Sequence, residues 1–147
     1  MKNVNVLKLN SDAIIPTYAS PFSAGADLYA LIPEKTLEIK SGETVLVHTG
    51  IALEIPEGYV GMIFARSGIA TKRGLAPANK VGVIDSDYRG ELMISLHNHS
   101  DKTQVVENGE RVSQLVIMPY LKAEFTLSQS LDETERGTGG FGSTGTK

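Results

Sequence analysis

The sequence predicts an all-β protein: a jelly-roll barrel or sandwich with one short helix and a flexible Gly-rich C-terminal tail. Three observations carry that expectation. Short β-rich runs recur along the 147 residues, turn signals separate them, and a single segment has helical character. Val4–Leu9 alternates apolar and polar residues. Thr44–Val47 and Ile51–Ile55 are two β-rich runs parted by Thr49-Gly50, and Pro56-Glu57-Gly58 then marks a turn. Gly61–Ala65, Val81–Ile84, Glu91–His97, Thr103–Val106, Val112–Met118 and Glu124–Leu127 follow as further strands, with Asn108-Gly109 as a hairpin-type turn. Ser67–Lys72 is the one predicted helix. The expected organisation is a single domain, with a β core over 1–127, a linker over 128–135 and a tail over 136–147.

Composition narrows the function. The hydrophobic fraction of 41% is globular, and no apolar run reaches the length of a membrane span. The formal charge of −3 argues against binding nucleic acid through a basic surface. An anion site must therefore come from a few placed residues, among them Arg66, Arg73, Arg89, Arg111 and Arg136. Cys is absent, which excludes disulfides and thiolate metal sites and suits a reducing cytosol. No signal-peptide pattern opens the sequence, so the expected location is cytoplasmic.

Several segments carry chemistry. Arg66-Ser67-Gly68 opens the helix, where free N–H groups and a guanidinium favour phosphate; the plainer reading is a Ser67 cap beside a solvated Arg66. From Gly82 to Glu91 an apolar strand runs into Asp85, Asp87 and Tyr88. Asp85 suits orienting or deprotonating a water, or helping to hold a metal, although an Asp-rich turn is an equal reading. Asp27 lies between apolar neighbours as a buried, paired carboxylate or, less readily, a ligand for a hydrated cation. Alternation puts Gln114 on the face opposite Ser113 and Leu115. His97 and His99 share one face of a strand, and with no Cys or carboxylate pattern beside them they read as surface residues. Arg136–Gly145 combines one Arg, five Gly, Phe141 and three hydroxyl side chains. Such a tail has no apolar face of its own. It either stays a linker or closes on a polyphosphate carrying a flat ring. It also contains GxGxxG, but with five residues following it the setting is wrong for a dinucleotide-binding turn.

In their order, these segments resemble the five motifs of the homotrimeric dUTP pyrophosphatase (dUTPase) family from end to end. The matching stretches are Ala24–Tyr29, Arg66–Gly68, Asn79–Gly90, Gly109–Leu115 and Arg136–Gly145. The resemblance implies a jelly-roll trimer with three active sites, each built from all three chains. It implies Mg²⁺-assisted hydrolysis of dUTP to dUMP and pyrophosphate, which limits uracil in DNA and supplies dUMP for thymidylate synthesis. By the same resemblance Asp85 holds the attacking water near the α-phosphorus. Asn79 reads the uracil edge with backbone around Val83 and Ile84. Tyr88 sits under the deoxyribose and leaves no room for a 2′-OH, and Met93 lies in the pocket. Arg66, Ser67 and Gly68 bind phosphate from a neighbouring chain. Gln114 lies near the α-phosphate and the water, and Asp27 reaches the metal through water while the triphosphate holds most of it. In the tail, Arg136 clamps phosphate, Phe141 stacks on uracil, Ser143 and Thr144 meet the γ-phosphate, and Gly142 belongs to the substrate-binding set. Catalysis would rest on Asp85, Gln114 and Arg136. Ala65 stands where many family members have Pro. The rival readings are a dCTP deaminase-like enzyme of the same fold and a non-catalytic jelly-roll nucleotide-binding module.

Overall fold

The computed structural model describes residues 3–140. The expected tail contacts Phe141, Gly142, Ser143 and Thr144 lie outside the described residues. Eleven strands and one helix follow in order: β1 Asn5–Lys8, β2 Thr17–Tyr18, β3 Ala26–Tyr29, β4 Thr36–Ile39, β5 Thr44–Glu54, β6 Tyr59–Phe64, α1 Ser67–Arg73, β7 Leu75–Pro77, β8 Gly82–Ile84, β9 Glu91–Asn98, β10 Gln104–Glu107 and β11 Arg111–Pro119.

The strands form a sandwich and not a closed barrel. One sheet runs β1-β5-β9-β7, a second runs β2-β3-β11-β6-β8, and β10 pairs with β4 alone. Every pairing is antiparallel. Alternation explains the layering. On β9, Leu92, Ile94, Leu96 and Asn98 are buried while the residues between them are not. Leu28, Ile39, Ile51, Leu75 and Val112 close the core from the other strands. Among the described residues no helix is long and apolar enough to cross a membrane.

Three sequence expectations change. The two runs around Thr49-Gly50 are one strand, because the turn signal is spent on a bulge. The β5–β9 register shifts between His48 and Ala52, and Gly50 takes φ +68°, where a Cβ would meet the side chains of Leu31 and Ala13. The expected strand at Glu124–Leu127 is absent, for no neighbouring strand meets it. Its side chains instead stand in solvent. β2, β3, β4 and β7 are strands that the sequence left unassigned, each so short that its residues find their ladder only through distant partners.

Asn98 is a buried side chain that joins three segments. Its Nδ2 donates to the carbonyls of Ile39 (2.9 Å) and Lys102 (2.7 Å), and its Oδ1 accepts from the Ser100 N–H (2.9 Å) and Oγ (2.7 Å). Asn98→Ala strands these buried groups together, so it is expected to destabilise the fold by about 2–4 kcal/mol. A shift of the urea midpoint too small to correspond to ~0.5 kcal/mol would show that water replaces the amide.

Candidate active site

β11 is the spine of one half of the site. Gln114 pairs with Asp27 of β3 on one side and Phe64 of β6 on the other, so all three side chains share one face. Its Nε2 donates to the Ala65 carbonyl at 2.9 Å. The amide packs so closely on Gly25 that a Cβ there would stand 3.0 Å from Gln114 Cδ, with its oxygen nearer still. Gly25 is therefore the clearance for Gln114. As expected, Ser113 and Leu115 face inward and are buried.

Asp27 is 5% exposed and paired. Arg66 Nε donates to Oδ1 at 2.6 Å and Arg111 Nη1 to Oδ2 at 3.2 Å. Arg66 also reaches the Arg111 carbonyl at 3.4 Å. The plain reading of Arg66-Ser67 therefore fails. Arg66 is anchored rather than solvated, and it holds the N-cap position of α1 with no side-chain cap. Ser67 and Gly68 lie exposed at the start of the helix.

Arg111 was missed as a site residue for a definite reason. Three residues from Gln114, strict alternation sends it to the opposite face. The register shift between Arg111 and Ser113 adds one residue to the ladder, so Arg111 pairs with Tyr29 and shares the face of Asp27. Only the Gly109 turn just before it hinted at irregular backbone.

The other half of the site hangs from β8. Gly82 pairs with Ile63, Val83 with Met62 and Ile84 with Gly61. Lys80, at φ +66°, turns the chain so that the Asn79 amide lies over Gly82, where a Cβ would be 3.5 Å from Nδ2. Beyond Ile84 the chain turns: the Tyr88 N–H donates to the Asp85 carbonyl at 3.2 Å. Asp85 is exposed. The Tyr88 ring folds against Gly90, where a Cβ would stand 2.5 Å from Cζ, and its hydroxyl donates to the Glu91 carbonyl at 3.0 Å. Arg89 braces the turn through the carbonyls of Ser86 (2.6 Å) and Tyr88 (3.0 Å). Met93 faces outward from β9, opposite His48, and so belongs to the other sheet from Val83 and Ile84.

Glu91 anchors the end of this turn. Its carboxylate accepts from His48 Nδ1 at 2.9 Å and from the Gly50 N–H of the bulge at 2.8 Å. Partial burial pushes its pKa up, but the hydrogen bonds from His48 and Gly50 and the His48 charge outweigh it, and the group ends below its ordinary 4.5. A depressed folded-state value stabilises the fold above the unfolded value, and that contribution is lost as pH falls through the folded value. The stability difference between wild type and Glu91→Gln is expected to shrink as the solution is acidified below about 4.5. A difference that persists unchanged to pH 3 in denaturant titrations would remove the linkage.

The two halves sit at opposite ends of β6. Asp27 and Gln114 are level with Phe64. Asp85 lies past Ile84, which pairs with Gly61, and so falls level with Val60. Four strand residues separate them, roughly 13 Å. An open groove of about 1220 Å³ adjoins the Asp85 half alone, lined by Val60, Met62, Val83, Asp85, Asp87 and Met118 among others and by none of Asp27, Arg66, Arg111 or Gln114. Arg136 joins neither half, for its Nε donates to the carbonyl of Gly139 at 2.9 Å within its own turn.

The dUTPase family model matches residues 11–145. The chain belongs to the dUTPase family. A deoxyuridine 5′-triphosphate nucleotidohydrolase of Desulfitobacterium hafniense is 51% identical over 132 residues, covering 89% of this chain and 87% of that one. One from Hydrogenobaculum sp. is 48% identical over 142 residues, 97% of each. Among solved structures, the Staphylococcus bacteriophage 80alpha dUTPase with dUPNHPP superposes with a TM-score of 0.88 at 29% identity, covering 99% of both chains. A dUTPase variant from phage phi11 of S. aureus, described with a structural Mg(II) ion, gives a TM-score of 0.80 at 25% identity, covering 90% of this chain and 100% of that one. Within this dUTPase, the five motif segments thus separate into a cluster of Arg66, Arg111 and Gln114 around the buried Asp27, an exposed Asn79–Tyr88 edge, and a tail described only to Gly140.

Proposed function

We propose that this chain hydrolyses dUTP to dUMP and pyrophosphate by attack of water on the α-phosphorus. The reading rests above all on the exposed Asp85 carboxylate at the head of the turn that folds Tyr88 onto Gly90, on the same strand edge as Asn79. Asp85 orients the water first and accepts its proton second. Asn79 and the backbone of Val83 and Ile84 read the uracil edge, and Met93 is a further pocket residue contributed from the other sheet. Arg66, Ser67 and Gly68 take the phosphates, Gln114 stands near the α-phosphate, and the tail brings Arg136, Phe141, Gly142, Ser143 and Thr144 over the nucleotide.

A bound Mg²⁺ would supply charge neutralisation on the triphosphate, with Asp27 as the residue that would reach it through water. Among the described residues no three or more His, Cys, Asp or Glu converge as a metal cage. Mg²⁺ keeps waters and takes phosphate oxygens, so it needs no such cage. Both Asp27 oxygens already accept from guanidinium groups, which fits a link to the metal through water.

Two observations support a homotrimer with shared sites. A single chain holds the two halves apart along β6. Beyond β11, Leu121, Phe125, Leu127 and Leu131 are 88–100% exposed on an extended arm, an apolar load that suits a second copy. A cytoplasmic location fits the Cys-free sequence.

The test is pyrophosphate release with Mg²⁺ from dUTP, dCTP, dTTP and UTP. Release from dUTP alone supports the proposal. Ammonia from dCTP would transfer the chain to the deaminase reading, and silence in both assays would leave a binding module. The Tyr88 ring against Gly90 gives a second expectation. Tyr88→Ala opens space at the 2′ position and lowers the dUTP-to-UTP ratio of kcat/KM by about tenfold or more. An unaltered ratio would remove the sugar gate.

A further inference from the structure

We propose that His97 and His99 form a surface chelate for a divalent transition metal of the Cu²⁺ or Ni²⁺ type, separate from the nucleotide site. His97 faces outward from β9, between buried Leu96 and Asn98. The chain stays tethered beyond the strand, with the His99 N–H donating to the Gly74 carbonyl at 2.7 Å. Residues two apart on an extended chain point to the same side, and the ring centroids are 4.3 Å apart with planes at 70°.

That spacing is what a shared metal asks for. With a metal–nitrogen distance of about 2.0 Å, each ring centroid lies about 3.2 Å from the metal. Two rings at a right angle are then about 4.5 Å apart, whereas a tetrahedral angle needs about 5.2 Å. The observed value favours adjacent positions of a square-planar or octahedral ion, where imidazole suits Cu²⁺ and Ni²⁺. Thr44 Oγ1 lies 2.7 Å from His97 Nδ1. It can accept from that nitrogen, fixing the ring and leaving Nε2 for the metal, the outer partner a ligating histidine usually has.

The charge of Lys80, close enough to act on His99, opposes an incoming cation. With no third protein ligand converging among the described residues, water completes the shell. The pair sits at the β7–β9 edge of the four-stranded sheet, away from the Asp27 and Asp85 halves, and its nitrogen donors do not suit the Mg²⁺ of the nucleotide site.

The test is calorimetric titration of the full chain with CuCl₂ and with NiCl₂ in a non-coordinating buffer at pH 7.5, joined to Cu²⁺ electron paramagnetic resonance. One ion per chain and a two-nitrogen spectrum are expected for wild type and for His48→Ala, which removes the remaining histidine. His97→Ala and His99→Gln are each expected to weaken binding tenfold or more. The exposed His99→Gln carries the test if His97→Ala proves unstable. Equal affinity in wild type and His99→Gln, or a spectrum with one nitrogen donor, overturns the chelate.

Discussion

Asp85→Asn is expected to lower turnover of dUTP by about 10²–10⁴-fold while leaving nucleotide binding within a few-fold of wild type. The substitution keeps the size of the side chain and one oxygen, so the turn that carries Tyr88 survives. The braces of that turn are backbone carbonyls held by Arg89 and the Tyr88 hydroxyl, and none uses the Asp85 carboxylate. What is lost is the anion that aims water and takes its proton. The loss should fall on kcat, because it acts in the transition state and hardly on the bound substrate. The measurement is single-turnover pyrophosphate release beside the affinity for a non-hydrolysable dUTP analogue. A variant that turns over within tenfold of wild type would place the water elsewhere. One that no longer binds the analogue would make Asp85 a substrate ligand.

The β class was legible because alternation and turn chemistry are local. β9 needed only its own apolar residues at every second position, and β11 likewise gave Ser113 and Leu115 inward against Gln114. The reading failed where the ladder breaks step. Thr49-Gly50 carries a turn residue but bends a continuous strand, since Glu91, some forty residues away, takes the Gly50 N–H that the bulge leaves without a ladder partner. Arg111 was lost to a bulge in the same way, and with it the second partner of Asp27. By type and spacing alone Asp85, Tyr88 and Gln114 read equally well as turn and ladder residues, and only the joint order of the five motifs, through the family resemblance, singled them out. Gly25 and Gly90 were not singled out, for their role is the space they leave for Gln114 and Tyr88, and such space exists only after folding.

Asp27→Asn is the second large effect, and it separates structure from catalysis. The carboxylate is buried under two guanidinium groups, and an amide would turn at least one N–H toward an arginine donor. Breaking a buried pair costs about 3–5 kcal/mol. Here the Arg66 and Arg111 side chains keep 26% and 48% of their exposure, so water recovers part of that loss and about 1–3 kcal/mol is expected. The chain should fold, with a lower melting temperature. Its kcat/KM for dUTP should drop about 10²-fold, because Arg66 is aimed by Asp27 and a shift near 1 Å suffices for such a loss. Arg111→Lys removes one donor of the pair and leaves the Arg66 contact at 2.6 Å. It should therefore lose less stability and less than about tenfold in kcat/KM. If Asp27→Asn melts lower but turns over dUTP normally, the cluster is a clamp between β3, β11 and α1 and the phosphates bind elsewhere. If the two variants lose activity equally, Arg111 touches the substrate itself, and the bulge in β11 is there to aim it.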